Sequence, residues 1–270
     1  MFSLGANSVL FGGFDLDTAM AHIAACGYDG IELSAIKGMC EHLNLDSWCD
    51  DAPRIRDLAA KHGLRLLAIE EAALEEPRLM TCFQAAAALG IPVVNIGPGG
   101  KSDVEEDFQR QVALMAKLAG RAADHGVILC VKAHVGGCIY NTPTTLRAMS
   151  EIDSPGFGVD MDPSHIYRAG EDPVEALRQV VGRIRHVHIR DCPDRGPSPG
   201  KPEMQACGRG EIDLPGYVRV LMDAGYTGPV DLEIIGAGQY ELARCAIIAA
   251  ESRGYLNACV RACLHGQCRR

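Results

Sequence analysis

Aromatic residues are scarce in this chain: one Trp, six Phe and seven Tyr among 270 residues, or 5%. A core built from it must rest on aliphatic side chains and alanine rather than on stacked rings. Basic residues are in deficit too, with 26 Lys and Arg against 35 Asp and Glu and a formal net charge of −9. That balance argues against nucleic acid as the main partner, since neutralising phosphates needs a basic footprint. No run approaches the ~18 consecutive apolar residues that would span a bilayer, so no membrane partner is expected. The opening Met1–Phe14 lacks a basic segment followed by an apolar stretch. No secretory signal is therefore expected, and the chain reads as cytoplasmic. A Gly-x-Gly-x-x-Gly phosphate loop and the two-residue cysteine knuckle of zinc sites are both missing.

What is present is a soluble globular composition, 47% apolar and 23% charged, which excludes general disorder. The twelve cysteines are scattered, and in a chain of this length they read as reduced thiols, many serving as small core hydrophobes. The tail Cys259-x3-Cys263-x4-Cys268 with His265 matches no common zinc spacing.

A single pattern repeats along the chain: a short β-branched run, a turn, then an Ala- and Leu-rich amphipathic stretch. The expected strands are Phe2–Gly5, Gly30–Leu33, Arg65–Ile69, Val93–Ile96, Val127–Ala133, Gly158–Met161, Ile184–Ile189 and Val230–Ile234. Helices are expected to start near Asp15, Asp51, Pro77, Ser102, Thr142, Asp172, Leu214 and Gln239. Cap residues or a first-turn proline open several of them, and glycine closes several, as in His62-Gly63 and Leu89-Gly90. Eight strands alternating with eight helices is the arithmetic of a (β/α)8 barrel, which needs about 250 residues. One domain over residues 1–270 is expected. The Pro- and Gly-rich stretch Asp191–Gly210 reads as a long loop after a strand.

In such a barrel the reacting groups gather at the carboxyl ends of the strands. The candidates there are Glu32, Lys132 with His134, Asp160 and Asp162, His186 with His188 and Arg190, and Asp231 with Glu233. Strand alternation puts Lys132 and His134 on one face, and likewise His186, His188 and Arg190. Asp162, His188 and Glu233 come from three adjacent strands and form a trio of oxygen and nitrogen donors suited to Mn, Mg, Co or Zn. Taken singly, each has a plainer role: a strand His as a hydrogen-bonded core residue, and an Asp before Pro-Ser as a helix cap.

The chain also resembles the xylose-isomerase-like TIM barrels of the sugar-phosphate isomerase/epimerase group. The resemblance is carried by Gly27-Tyr28-Asp29-Gly30-Ile31-Glu32-Leu33, by Asp162-Pro163-Ser164-His165, by His186-Val187-His188-Ile189-Arg190-Asp191, and by Gly225-Tyr226-Thr227-Gly228 leading to Glu233. It implies a divalent metal on a strand-five Glu, on Asp162, on His188 and on Glu233. At the strand-five position this chain has Lys132, followed by Ala133-His134.

A protonated Lys132 would repel a dication. A depressed amine could instead act as a base, or His134 could supply the missing ligand. The function implied is isomerisation or epimerisation of a small polyhydroxylated carbonyl compound through an enediolate-like intermediate. Glu233 and Lys132 would move the protons, and His165, Arg190, His134 and Glu32 would bind substrate. A dehydratase using the same site is the enzymatic alternative. A sugar-binding or partner barrel that lost the Glu is the non-catalytic one. The resemblance further implies a homo-oligomer.

Overall fold

The computed structural model of the protein describes residues 1–266. Nine strands appear in chain order: β1 (Ser3–Asn7), β2 (Gly30–Ile36), β3 (Cys40–Glu41), β4 (Arg65–Ala72), β5 (Val93–Ile96), β6 (Ile128–Lys132), β7 (Phe157–Met161), β8 (Ile184–Ile189) and β9 (Pro229–Leu232). All but β3 run parallel. Because β1 pairs with both β2 and β9, the eight parallel strands close into a barrel. β3 adds only a short antiparallel hairpin to the end of β2.

The helices are α1 (Leu16–Ala25), α2 (Trp48–His62), α3 (Glu76–Leu89), α4 (Glu105–Asp124), α5 (Thr142–Glu151), α6 (Pro163–Arg168), α7 (Pro173–Val180), α8 (Leu214–Asp223) and α9 (Leu242–Leu264). Their ends follow the local chemistry. Asp15 accepts from the Thr18 amide to start α1, and Asn141 with Thr144 forms a capping box at α5. Gly63 and Gly90 end α2 and α3 at φ of 67° and 71°, a left-handed conformation that costs glycine little.

Parallel strands covered by helices on the outside and by facing strands within are buried on both faces. With the helices they form a large aliphatic core that includes Cys82, Cys207 and Cys245, and Cys130 packs with Ala68 and Val93 in a small second cluster. The strands at Val93–Ile96 and Ile184–Ile189 lie as expected. β2 and β4 run three residues further than expected, to Ile36 and Ala72. That extension decides the position of Glu70. The short α6 directly after β7 does not follow from the sequence pattern, because six residues are too few for a periodic signal. Cys268 of the tail lies outside the described residues.

The long loop after β8 is tied down by its first residue. Asp191 Oδ1 accepts from the amides of Cys192 and Ile212, and Oδ2 from that of Gly208. Arg168 at the end of α6 donates to the carbonyls of Gly196 and Pro197. The loop is thereby folded back so that Pro197, Ser198 and Pro199 wall the barrel mouth.

Candidate active site

Polar side chains fill the carboxyl end of the barrel in two tiers. The lower tier is centred on the two β8 histidines, which strand alternation turns inward together with ring centroids 4.7 Å apart. His186 bridges Asp160 on β7, at 3.0 Å, and Asp231 on β9, at 2.8 Å. His188 lies between Asp160 Oδ2, at 2.7 Å from its Nδ1, and Glu32 Oε2 at its Nε2. The Asn7 and Asn95 amides complete the carboxylate of Glu32.

Burial opposes charge on both imidazoles, but the carboxylates around them prevail. Glu32 and Asp160, with the hydrogen bonds to Asp160 and Asp231, raise His186 to about 9, and Asp160 with Glu32 holds His188 well above its ordinary value. The protonated form is thereby favoured on both rings. Glu32 is fully buried beneath the mouth, away from the residues that line the cavity. It meets His188 Nε2 and does not line the cavity.

The upper tier borders a cavity of about 350 Å³ lined by Glu70, Lys132, His134, His165, Arg190 and Glu233 among others. The Lys132 ammonium donates to Glu70 Oε1 and to Glu233 Oε1, each at 2.9 Å. The Arg190 guanidinium reaches Asp162 Oδ2 at 2.7 Å, Glu233 Oε2 at 3.2 Å and the Ser164 hydroxyl at 2.8 Å, and donates to His165 Nε2. Asp162 Oδ1 caps α6 by accepting from the Ser164 amide and hydroxyl. The ring of His134 packs 4.0 Å from that of His165.

Burial works against the Lys132 charge, yet Glu233 and Glu70 outweigh it and hold the amine above its ordinary value. The direction is opposite to that of a depressed amine: the two carboxylates offset the desolvation of the ammonium. Burial likewise penalises the Glu233 carboxylate, but Arg190 and Lys132 hold it well below the usual range. Glu70 goes the other way. Burial, reinforced by the neighbouring Glu233 charge and only partly offset by Lys132, raises it to about 7. His165 is kept neutral by burial, then by Arg190 and His134.

The structure thus brings Lys132, His134, His165, Arg190 and Glu233 to one cavity and adds Glu70, which sequence reasoning missed. The signal was available in Glu70-Glu71, where two adjacent carboxylates at a strand end must point to opposite faces. Glu71 turns outward to Arg78 Nε, at 2.5 Å. The register of β4 shifts between Glu70 and Ala72, whose φ is 65°.

Two groups of donors lie close enough to serve as metal ligands, with ligand atoms within 4.8 Å of one another: Glu32, His186 and His188, and Glu70, His188 and Glu233. Asp162 belongs to neither. Both nitrogens of His188 already face carboxylates, Glu233 is shared between two cations, and Lys132 Nζ lies against Glu70 and Glu233. With the Lys132 ammonium between Glu70 and Glu233, the mouth group in this arrangement does not fit a divalent ion. Burial raises both Glu70 and Asp231 above their ordinary values.

An eight-stranded parallel barrel with helices outside and ionisable groups clustered at its carboxyl end defines the class of (β/α)8 barrels. A family profile described as xylose isomerase-like TIM barrel matches residues 20–256, and the chain belongs to that family. It is 28% identical over 141 residues to an inosose dehydratase of Clostridium botulinum, covering 48% of this chain and 47% of that protein. It is 26% identical over 96 residues to a 3-dehydroshikimate dehydratase of Bacillus anthracis, covering 35% and 34%.

The chain spans less than half the length of these curated relatives. Among solved structures, a D-tagatose 3-epimerase-like protein superposes with a TM-score of 0.78 at 18% identity, covering 98% of this chain and 99% of the other. A probable 3-DHS dehydratase from Bacillus anthracis gives 0.77 at 17%, covering 95% and 99%. The relatives of this chain are thus sugar-processing and related enzymes, and among the described residues no helix is long and apolar enough to cross a membrane.

Proposed function

We propose that the barrel moves a proton at the carbon next to a carbonyl in a small polyhydroxylated compound, as an isomerase or epimerase. The observation that carries this reading is the pair Glu70 and Glu233 flanking Lys132 in one cavity. An ionised Glu233 takes the proton from carbon. Glu70, raised to about 7, is half protonated at neutral pH and returns a proton to the intermediate. The Lys132 ammonium holds the oxygen on which negative charge develops, an electrostatic role that suits a buried cation. Arg190 contributes a donor toward substrate hydroxyls, and His165 with Pro197–Pro199 of the folded-back loop lines the mouth.

Dehydration is the second reading, favoured by the inosose and 3-dehydroshikimate dehydratases among the relatives. It begins with the same proton abstraction, and Glu70 then protonates a departing β-hydroxyl. A screen of ketoses, keto-inositols and their acidic analogues in deuterated water tests both readings. Deuterium at the carbon next to the carbonyl with an isomeric product supports the first, and an enone absorbance supports the second. No exchange and no absorbance with any of these compounds overturns both.

A further inference from the structure

The donors that could hold a divalent ion at the mouth are Glu70, His188 and Glu233. Lys132 Nζ lies 2.9 Å from the oxygens of two of them, both ion pairs are buried, and Lys132 itself is only 4% exposed. Arg190 lies 3.2 Å from the other oxygen of Glu233, and Glu32 and Asp160 flank the two nitrogens of His188, while Glu233 Oε2 and His188 Nδ1 make no hydrogen bond. A cation of the protein's own thus sits between two of the three ligands, Glu70 and Glu233.

We infer that the Lys132 ammonium is the resident cation of this site, bound between Glu70 and Glu233 in the place a divalent ion would take, so that the barrel works without one. Its assignment as a metal substitute rests on binding geometry alone. Its role in holding a developing oxyanion rests on the reading above. A tethered ammonium has three donors. Two go to Glu70 and Glu233, and the third is available to one substrate oxygen, a single-point contact. A divalent ion, which takes six or more oxygen ligands, could instead chelate two neighbouring oxygens of a substrate.

The test reads metal uptake, so a barrel inactive on polyhydroxylated carbonyl compounds would leave its result standing. Protein dialysed against chelator is titrated with MnCl2 while the electron paramagnetic resonance signal of free Mn2+ is followed. The wild type should leave the free-ion signal undiminished. Lys132→Glu, which replaces the ammonium with a further carboxylate, should take up one Mn2+ per chain at least about a hundredfold more tightly. Lys132→Met, of similar length but uncharged, should gain affinity in the same direction and serves if the Glu variant does not fold.

Stoichiometric uptake by the wild type as tight as that of either variant overturns the inference, as does a folded Lys132→Glu that gains nothing. If neither variant folds, the wild-type titration alone decides: no uptake upholds the inference and stoichiometric uptake overturns it.

Discussion

Glu70 on β4 and Lys132 on β6 meet across the barrel mouth at 2.9 Å although β5 separates their strands. The contact is possible because both side chains project past the strand ends into the same cavity. Lys132 continues to Glu233 just beyond β9, so one ammonium links three strands that are not neighbours. Such a link costs desolvation of three charged groups and is favourable only while all three are present.

The first prediction concerns Glu70 as proton donor. With its carboxyl at about 7, turnover should fall as pH rises through 7, because the acid form is consumed. Glu70→Gln should lower kcat by about a hundredfold or more and remove that limb from the pH profile. A Gln variant that keeps the wild-type profile would assign the limb to another group.

Stability should fall toward alkaline pH. His186 is raised from 6.5 to about 9 in the fold, so its contribution is complete below about pH 6.5 and is lost as pH rises through 9. The difference corresponds to roughly 3 kcal/mol. Glu70, raised from 4.5 to about 7, acts in the same sense at lower pH: the folded state binds the extra proton, and that stabilisation fades between 4.5 and 7. Urea midpoints measured from pH 6 to 10 should therefore decline, and His186→Gln should flatten the decline above pH 6.5.

Arg190 is 2% exposed and spans Asp162, Ser164 and Glu233. Arg190→Met should destabilise the fold by roughly 3–5 kcal/mol, since buried Asp162 loses its cationic partner and Glu233 loses one of its two. Arg190→Lys should recover only part of this, because an ammonium does not reproduce the planar fork that reaches both carboxylates at once. Equal unfolding free energies for the Arg190→Lys variant and the wild-type protein would show that the fork geometry is dispensable.

Gly5 in β1 lies under the lower tier. A Cβ there would meet Asp231 Oδ1 at 1.8 Å and Leu67 Cδ1 at 2.6 Å. Gly5→Ala should therefore push Asp231 off His186 and cost at least about 1–3 kcal/mol. Thermal unfolding checks this, and an unchanged midpoint would mean that the barrel floor yields more than its packing indicates.

The amino-acid sequence by itself determined the barrel and most of the groups at its mouth. Strand and helix periods are local properties, and alternation along β8 is enough to turn His186 and His188 to one side. Lys132, Arg190, His165 and Glu233 were legible for the same reason, as polar residues at ends of apolar runs. Only the tertiary structure decided how these groups pair. Glu70 entered the site because β4 runs on to Ala72 through a register shift, which no local pattern announces. Glu32 became a support for His188, since its depth depends on how the closed strands stagger. The charge state of Lys132 was likewise set from outside its own strand. Desolvation alone works against the charged amine, and two carboxylates delivered by β4 and the end of β9 reversed the balance.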